Sequence, residues 1–369
     1  MTGRMTTRCG ERTRIWPALL GGFMVWLAIA CGPAASPPAA PSSRSPAGAA
    51  EPAPSAVAAA AAPQAVTMTL DWVGYQPHHM AFWLAKERGW YRDNGLDVTI
   101  QDARGSGQVV QLLTAGQTDF GLVTAIVHTQ SVAKGAPLQM VGVFTQKDNT
   151  ALKYFLSSGI RTPKDLEGRT VGLVAGSVQA LVWPAFAEAA GFDRNRVSLV
   201  NVDIQTYNRA FAAHQFDATN ALVGSTDDLT YDAEGTPIGR FVFSDYMPMI
   251  GHGIDVTTKT LADRPAVVEA FARGTQQAWD YMLKNPREAV QQATDVITKN
   301  VEGAPPANLI AEGAMQVIPD MMRTKSTEGK PVGWSSPDDW RSMAAALQQS
   351  ADLPRTPTVE ELVTNRFME

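Results

Sequence analysis

Five side chains within eight residues, Trp72, Tyr75, Gln76, His78 and His79, are the densest group of chemically useful residues in this 369-residue chain. Each supplies a flat ring face, a directional hydrogen bond or both, and none carries an obligatory charge. Such a set suits recognition of a planar polar molecule. Ring stacking adds roughly 0.5–1.5 kcal/mol beyond area burial, and a neutral imidazole can hydrogen-bond a heteroaromatic ring. Two Gly-Ser steps, Gly105-Ser106-Gly107 and Gly176-Ser177, stand before segments of helical pattern. Helix N-termini leave free N–H groups and partial positive charge, a seat for an oxygen-bearing ligand edge. Ser is also the preferred N-cap, so capping alone accounts for either step. Neither is a phosphate loop: no Lys-Ser/Thr follows, and the third glycine of a dinucleotide fingerprint is absent.

Covalent chemistry finds little support. The histidines, at positions 78, 79, 128, 214 and 252, lack zinc-protease spacing, and there is no Gly-x-Ser-x-Gly elbow. Asp227-Asp228 and Asp338-Asp339 read as solvated loop or cap residues. No metal cluster and no cofactor are expected. The formal net charge of −5 gives no electrostatic basis for a nucleic-acid partner.

These residues need elements to hold them. Leu84 to Gly89 carry a helix toward Asn94-Gly95, which can supply the left-handed turn that ends it. Leu96, Val98 and Ile100 then alternate with Asp97 and Thr99, the period of a half-buried strand. In an open α/β sheet, loops at the carboxyl ends of strands are where ligands sit, and the Trp72–His79 loop is such a place. Strands are predicted at Thr67–Leu70, Leu96–Gln101, Phe120–Val123 and Leu138–Phe144, then at Thr170–Val174, Val197–Val202, Ala218–Val223 and Phe241–Phe243. The two sets echo each other: Leu112 to Phe120 and Ala210 to Ala218 both run helix stop, polar turn, buried strand, with Gln and Asp in matching places. Crossings between halves fall near Leu152–Ile160 and Ser244–Thr257. From Ala266 the pattern is helical, punctuated by Asn285-Pro286. Trp334, Trp340 and Met343 are expected to pack back on the first half as core.

The stretch from Leu70 to Ile100 resembles the solute-binding proteins of ABC importers for thiamine-pyrimidine precursors, within a superfamily that also takes nitrate, sulfonates, taurine and some flavins. His79, Ala85-Lys86-Glu87-Arg88-Gly89-Trp90-Tyr91 and Gly95-Leu96-Asp97-Val98 carry the resemblance. It continues through Gly105-Ser106-Gly107, Gly116 to Gly121, Pro184-Ala185-Phe186-Ala187 and Val200-Asn201-Val202-Asp203, up to Leu283. It implies an α/β, two-lobed periplasmic binding protein fold of type II. Each lobe would be a mostly parallel sheet flanked by helices, with the ligand cleft between lobes. Lobe 1 is expected over residues 67–155, lobe 2 over 156–245, and a return to lobe 1 with C-terminal helices over 246–369. On that plan Trp72 is an aromatic platform and His79 the family's loop histidine, with Tyr75, Gln76 and His78 beside them. Ser106, Thr124 and Ala125 would border the cleft from lobe 1; Gly176, Ser177, Gln179 and Asn220 would do so from lobe 2. Tyr246 and His252 lie in the second crossing. Trp183 is a further candidate whose direction depends on how Pro184 starts or bends its helix.

The function so implied is capture without chemistry. The ligand is a small planar heteroaromatic nutrient, an aminopyrimidine thiamine precursor first, gripped by hinge closure of a monomer and delivered to an ABC permease and ATPase. Riboflavin is an alternative ligand, as are sulfonate, taurine and nitrate. A lipoprotein presenting its ligand to a sensor kinase is an alternative class. Fungal pyrimidine synthases share the fold, consume their own active-site histidine and carry an iron site with a cysteine-rich motif. His79 corresponds loosely to that histidine, but the cysteine-rich motif is missing.

The N-terminus reads as a lipoprotein signal peptide over residues 1–30. Arg4, Arg8, Arg12 and Arg14 precede an apolar run from Ile15 to Ala30, too short for a stable membrane span. Ala28-Ile29-Ala30-Cys31 resembles a lipobox, making Cys31 the lipidated residue and the lipid the membrane anchor. An ordinary signal peptide cut nearby is the alternative. Removal of residues 1–30 takes away four Arg and one Glu, moves the net charge from −5 to −8, and leaves Cys31 as the sole cysteine. No internal disulfide can then form. Residues 31–66 are Ala-, Pro-, Ser- and Gly-rich, unable to bury enough apolar surface to offset ordering entropy, and read as a tether.

Overall fold

The computed structural model describes residues 62–350 and 353–368. The signal segment, Cys31 and most of the expected tether lie outside the described residues. Two five-stranded sheets define two lobes. β1 (Gln64–Leu70), β2 (Leu96–Asp102), β3 (Phe120–Thr124), β4 (Leu138–Val143) and β10 (His252–Thr257) form the lobe 1 sheet, in the order β2-β1-β3-β10-β4. β5 (Thr150–Phe155), β6 (Thr170–Val174), β7 (Ser198–Val202), β8 (Ala218–Leu222) and β9 (Ile238–Val242) form the lobe 2 sheet, in the order β7-β6-β8-β5-β9.

Each sheet contains one reversed strand, and each reversed strand has crossed over from the other lobe. β5 follows β4 in the chain yet pairs antiparallel with β8 and β9. β10 follows β9 yet pairs antiparallel with β3 and β4. The remaining pairs, β1 with β2 and β3, and β6 with β7 and β8, are parallel. This is the two-lobed binding-protein fold with mostly parallel sheets. The two segments expected as crossings, however, contain strands. β5 (TALKYF) and β10 (HGIDVT) are buried almost throughout, so neither shows the alternation of a half-buried strand, and each carries an ionisable residue inside. Lys153 and Asp255 are fully buried against partners the local sequence does not reveal: Asp228 for the first, His128 for the second.

The C-terminal helices span both lobes, where the sequence pointed only to the first. Trp340, Met343 and Leu347, on the helix Pro337–Ser350, share one apolar cluster with Ile126 of lobe 1 and with Trp183 and Phe186 of lobe 2. The helix Ala307–Met321 bridges them too. Its Gly313 meets the carbonyl of Gly224, which has φ 80°; a Cβ at either position would collide with the opposing element.

Candidate ligand-binding cleft

β1 ends at Leu70, and the next two residues carry Asp71 and Trp72 into the seam between lobes. Asp71 is the hub of the lobe 1 wall and is 7% exposed. His79 Nε2 lies 3.0 Å from its Oδ1, while His79 Nδ1 faces Val73 O at 3.2 Å. His252 Nε2 lies 3.1 Å from Asp71 Oδ2. Ser106 Oγ donates to the same Oδ2 at 3.1 Å and accepts the Thr124 N–H at 3.1 Å. Burial alone would raise the Asp71 pKa, but the His252 charge and the imidazole hydrogen bonds outweigh it and hold the carboxyl well below its usual range. Burial would likewise lower His252, and the Asp71 and Asp148 carboxylates reverse that to raise it.

His78 has the opposite fate. Burial, then the neighbouring His252 and His79 charges, push its pKa down to about 3, so the ring is neutral. It stacks on His252 with centroids 4.1 Å apart and planes at 17°. Its Nε2 is 3.4 Å from Asp71 Oδ1 without hydrogen-bond direction, and neither ring nitrogen has a partner among the described residues. A candidate metal cluster was not legible in sequence, because its member His252 lies more than 170 residues beyond Asp71 and His78. Folding brings one ligand-competent atom from each of Asp71, His78 and His252 within 4.8 Å of one another.

Lobe 2 supplies a wall of hydroxyls and amides. Ser177 caps the helix Val178–Leu181, its Oγ accepting the Ala180 N–H at 3.3 Å. Asn220 Oδ1 accepts from Val174 N–H at 2.9 Å, and its Nδ2 donates to Ser177 Oγ at 2.9 Å and Gln179 Oε1 at 2.8 Å. Gln179 Nε2 donates to Ala221 O at 2.9 Å. Asn220 and Gln179 thus edge the cleft while their amide N–H groups are committed to holding lobe 2 together. Tyr207 and Asp227 complete the wall. Asp227 Oδ2 accepts from Asn208 Nδ2 at 2.7 Å. Burial, then Asp227 and Asp228, raise the Tyr207 phenol well above its ordinary value, so it stays neutral.

Between the walls lies a cleft of about 650 Å³, part of it open to solvent. The two Gly-Ser steps face each other across it: a Cβ at Gly105, whose φ is 126°, would stand 3.8 Å from Gly176 O. Of the residues singled out from sequence, Trp72, Gln76, His78, Ser106, Thr124, Gly176, Ser177, Gln179, Asn220 and His252 line this space. Five do not. Tyr75 packs against the lobe 1 core, and burial, then Asp227 and Asp102, raise its pKa to about 12. His79 is fully buried behind Asp71. Ala125 is buried and gives its N–H to Gly251 O at 2.8 Å. Trp183 opens a new helix, Trp183–Ala190, with Pro184 in its first turn, and turns inward against Phe186 and Phe192. Tyr246 sits outside, 37% exposed, edge-on to Phe186.

Asp71, Tyr207 and Asp227 were missed. Asp71 had one available signal, an acid at the carboxyl end of the first strand. The reading of Asp227-Asp228 as solvated cap residues is corrected. They do lie in the first turn of the helix Thr226–Ala233, but Asp227 faces the cleft and Asp228 is fully buried between Lys153 and Arg240.

Comparison with known proteins agrees with this architecture. The alkanesulfonate-binding protein SsuA of Xanthomonas axonopodis pv. citri superposes with a TM-score of 0.63 at 16% identity, over 83% of this chain and 100% of that one. In sequence, the formylaminopyrimidine-binding protein of Halalkalibacterium halodurans is 23% identical over 305 residues, 81% of this chain and 88% of that protein. The 4-amino-5-hydroxymethyl-2-methylpyrimidine phosphate synthase of Legionella pneumophila is 25% identical over 234 residues, 61% of this chain and 72% of that protein. The profile described as NMT1/THI5 like matches residues 76–289, from the loop of the first wall through both sheets. The chain therefore belongs to the NMT1/THI5-like family.

Proposed function

We propose that this chain is an exported solute-binding protein that captures a small, flat, donor-bearing heteroaromatic, an aminopyrimidine first, and hands it to an ABC permease and its ATPase. One observation carries the reading. The cleft presents a carboxylate on each wall, Asp71 and Asp227, beside the Trp72 ring, and among the described residues no Lys or Arg lines it. A sulfonate or nitrate would meet like charges there with no fixed cation to offset them. An amino-substituted ring instead offers N–H donors to a carboxylate and a face to Trp72.

The relatives' names point two ways, to a formylaminopyrimidine binder and to pyrimidine phosphate synthases. The position of His79 favours binding. It is fully buried, with its ring nitrogens turned to Asp71 and Val73 O and away from the space a substrate would fill. A ligand spanning both walls makes its lobe 2 contacts only when the lobes are together, and so favours the closed state a permease would recognise. The protein acts as a monomer, held at the membrane by lipid on Cys31. No helix among the described residues is long and apolar enough to cross a membrane.

A thermal-shift panel tests the reading. A ligand at a hundred times its Kd stabilises by about 2.7 kcal/mol, so aminopyrimidines should raise the unfolding temperature while taurine and nitrate leave it unchanged. The pyrimidine should be recovered unaltered; a converted product, or a response to the anions alone, refutes capture of this class. Trp72→Ala should weaken pyrimidine binding tenfold or more and leave apo unfolding nearly unchanged, since the half-buried ring lines the cleft.

A further inference from the structure

We propose that Asp71, His78 and His252 form a site for one late first-row divalent metal ion, with an open coordination position facing the cleft. The inference rests on reading the cleft as a ligand site and deepens it: the ion would meet a ring nitrogen or oxygen donor of the captured heteroaromatic. Three observations converge. The first is spacing. Ligands bonded at about 2.0–2.1 Å to one ion at octahedral to tetrahedral angles stand about 2.8–3.4 Å apart. His252 Nε2 is 3.1 Å from Asp71 Oδ2, and His78 Nε2 is 3.4 Å from Asp71 Oδ1. Each imidazole stands at ligand separation from one of the two carboxylate oxygens, and one ligand atom from each of the three residues lies within 4.8 Å of the others.

The second is an orphan. His78 is 2% exposed, lines the cleft, and has neither ring nitrogen hydrogen-bonded. A buried imidazole without a partner is costly, and an ion on Nε2 supplies the missing interaction. The third is the supporting layer. His79 and Ser106 orient the Asp71 carboxylate, and Thr145 Oγ1 lies 3.4 Å from His252 Nδ1. Metal-ligating histidines and carboxylates are typically held by such outer contacts.

The donor set narrows the ion. Two imidazoles and one carboxylate suit Zn²⁺, Co²⁺, Ni²⁺ or Fe²⁺, whereas Ca²⁺ and Mg²⁺ prefer all-oxygen shells. Three protein ligands leave at least one position for an incoming group. That position faces a cleft in which Asp227 is a further carboxylate and, among the described residues, no Lys or Arg opposes a dication.

The test uses the full chain, dialysed against chelator and titrated with Co²⁺ and then Zn²⁺. The expected result is one equivalent of Co²⁺ with visible d–d absorption, displaced by Zn²⁺. X-ray absorption of the Zn²⁺-loaded protein should show imidazole scatterers, a readout that needs no variant. His78→Asn and His252→Asn should each weaken Zn²⁺ binding at least tenfold, with folding checked by circular dichroism; His214→Gln, on the surface, should not. No binding at one equivalent, wild-type affinity in both cleft variants, or no imidazole scattering overturns the site. The pyrimidine panel, run with and without chelator, separates the two claims. A pyrimidine shift in protein that binds no ion leaves the ligand reading standing and removes the metal. Stoichiometric Zn²⁺ binding with no pyrimidine shift does the reverse.

Discussion

Among the buried carboxylates of the described residues, Asp71 in lobe 1 and Asp228 in lobe 2 lie beneath opposite sides of the cleft, and their partners differ in kind. Asp71 in lobe 1 is surrounded by histidines and a serine hydroxyl. Asp228 in lobe 2 sits between Lys153 Nζ at 3.2 Å and Arg240 Nε at 2.7 Å, with Lys153 itself fully buried over the Tyr231 ring. Lysine and arginine do not titrate near neutrality, but histidine does. The lobe 2 centre is therefore a fixed structural charge pair, and the lobe 1 centre can exchange protons or accept an ion in the neutral range. Chemistry is concentrated on one wall; the other positions.

Removing the carboxylates separates these roles most strongly. Asp228→Asn leaves the buried Lys153 ammonium without its carboxylate and beside the like-charged Arg240 guanidinium, and breaking such a buried pair costs about 3–5 kcal/mol. Asp71→Asn should cost less, about 1–3 kcal/mol, because its imidazole partners can shed the proton that needs a counter-charge. Yet Asp71→Asn should abolish ligand capture, while Asp228→Asn, where it folds, should retain much of it. Urea unfolding and calorimetric titration read the two quantities, and the reverse ordering of stabilities would break the comparison.

Acidity sharpens it. His78 binds its proton only near pH 3 when folded, against about 6.5 unfolded, so stability should fall as pH drops from about 6.5 toward 3. His252 has its pKa raised, so its contribution is fully present below about 6.5 and is lost as pH rises through the raised value. Asp71, depressed, contributes above about 4, and this is lost as pH falls through its low folded value. Urea midpoints across this range should therefore decline on both sides of neutrality. His78→Asn should flatten the acid limb above pH 4, and His252→Asn the alkaline one. Unchanged limbs in both variants would show that the lobe 1 histidines do not govern the titration.

The difference between the walls also explains what the sequence revealed. The parallel strands were legible because they set an apolar run, as in Thr170–Val174, or an apolar–polar alternation, as in Leu96–Asp102, beside a turn signal. The crossing strands were not, because Lys153 and Asp255 break the apolar pattern and their partners, Asp228 and His128, lie far along the chain. In the site, the aromatic and histidine-rich loop stood out by composition. Asp71 did not, since a lone acid after a strand is unremarkable until His252 arrives from a strand 181 residues away. Asn220 and Gln179 do edge the cleft, but residue type cannot show that their amide N–H groups are already committed within their own lobe.

The smallest expected effect separates two serines that look equivalent in sequence. Ser177 is an N-cap, its Oγ accepting from Ala180 N–H and Asn220 Nδ2. Ser106 caps nothing: it occupies the first helical position after Gly105, donates to Asp71 and accepts from Thr124 N–H. Ser177→Ala should thus cost about 1 kcal/mol of stability at any pH between 5 and 8, the usual loss for a cap. Ser106→Ala should cost a similar amount, about 1 kcal/mol for its hydrogen bonds. It also removes a donor that favours ionised Asp71, so its cost should shrink as pH falls below about 4, whereas the Ser177→Ala cost should persist. Chemical denaturation of both variants at pH 7 and in the acid limb distinguishes them. An equal acid response would mean that the two Gly-Ser steps, despite their different partners, serve the same purpose.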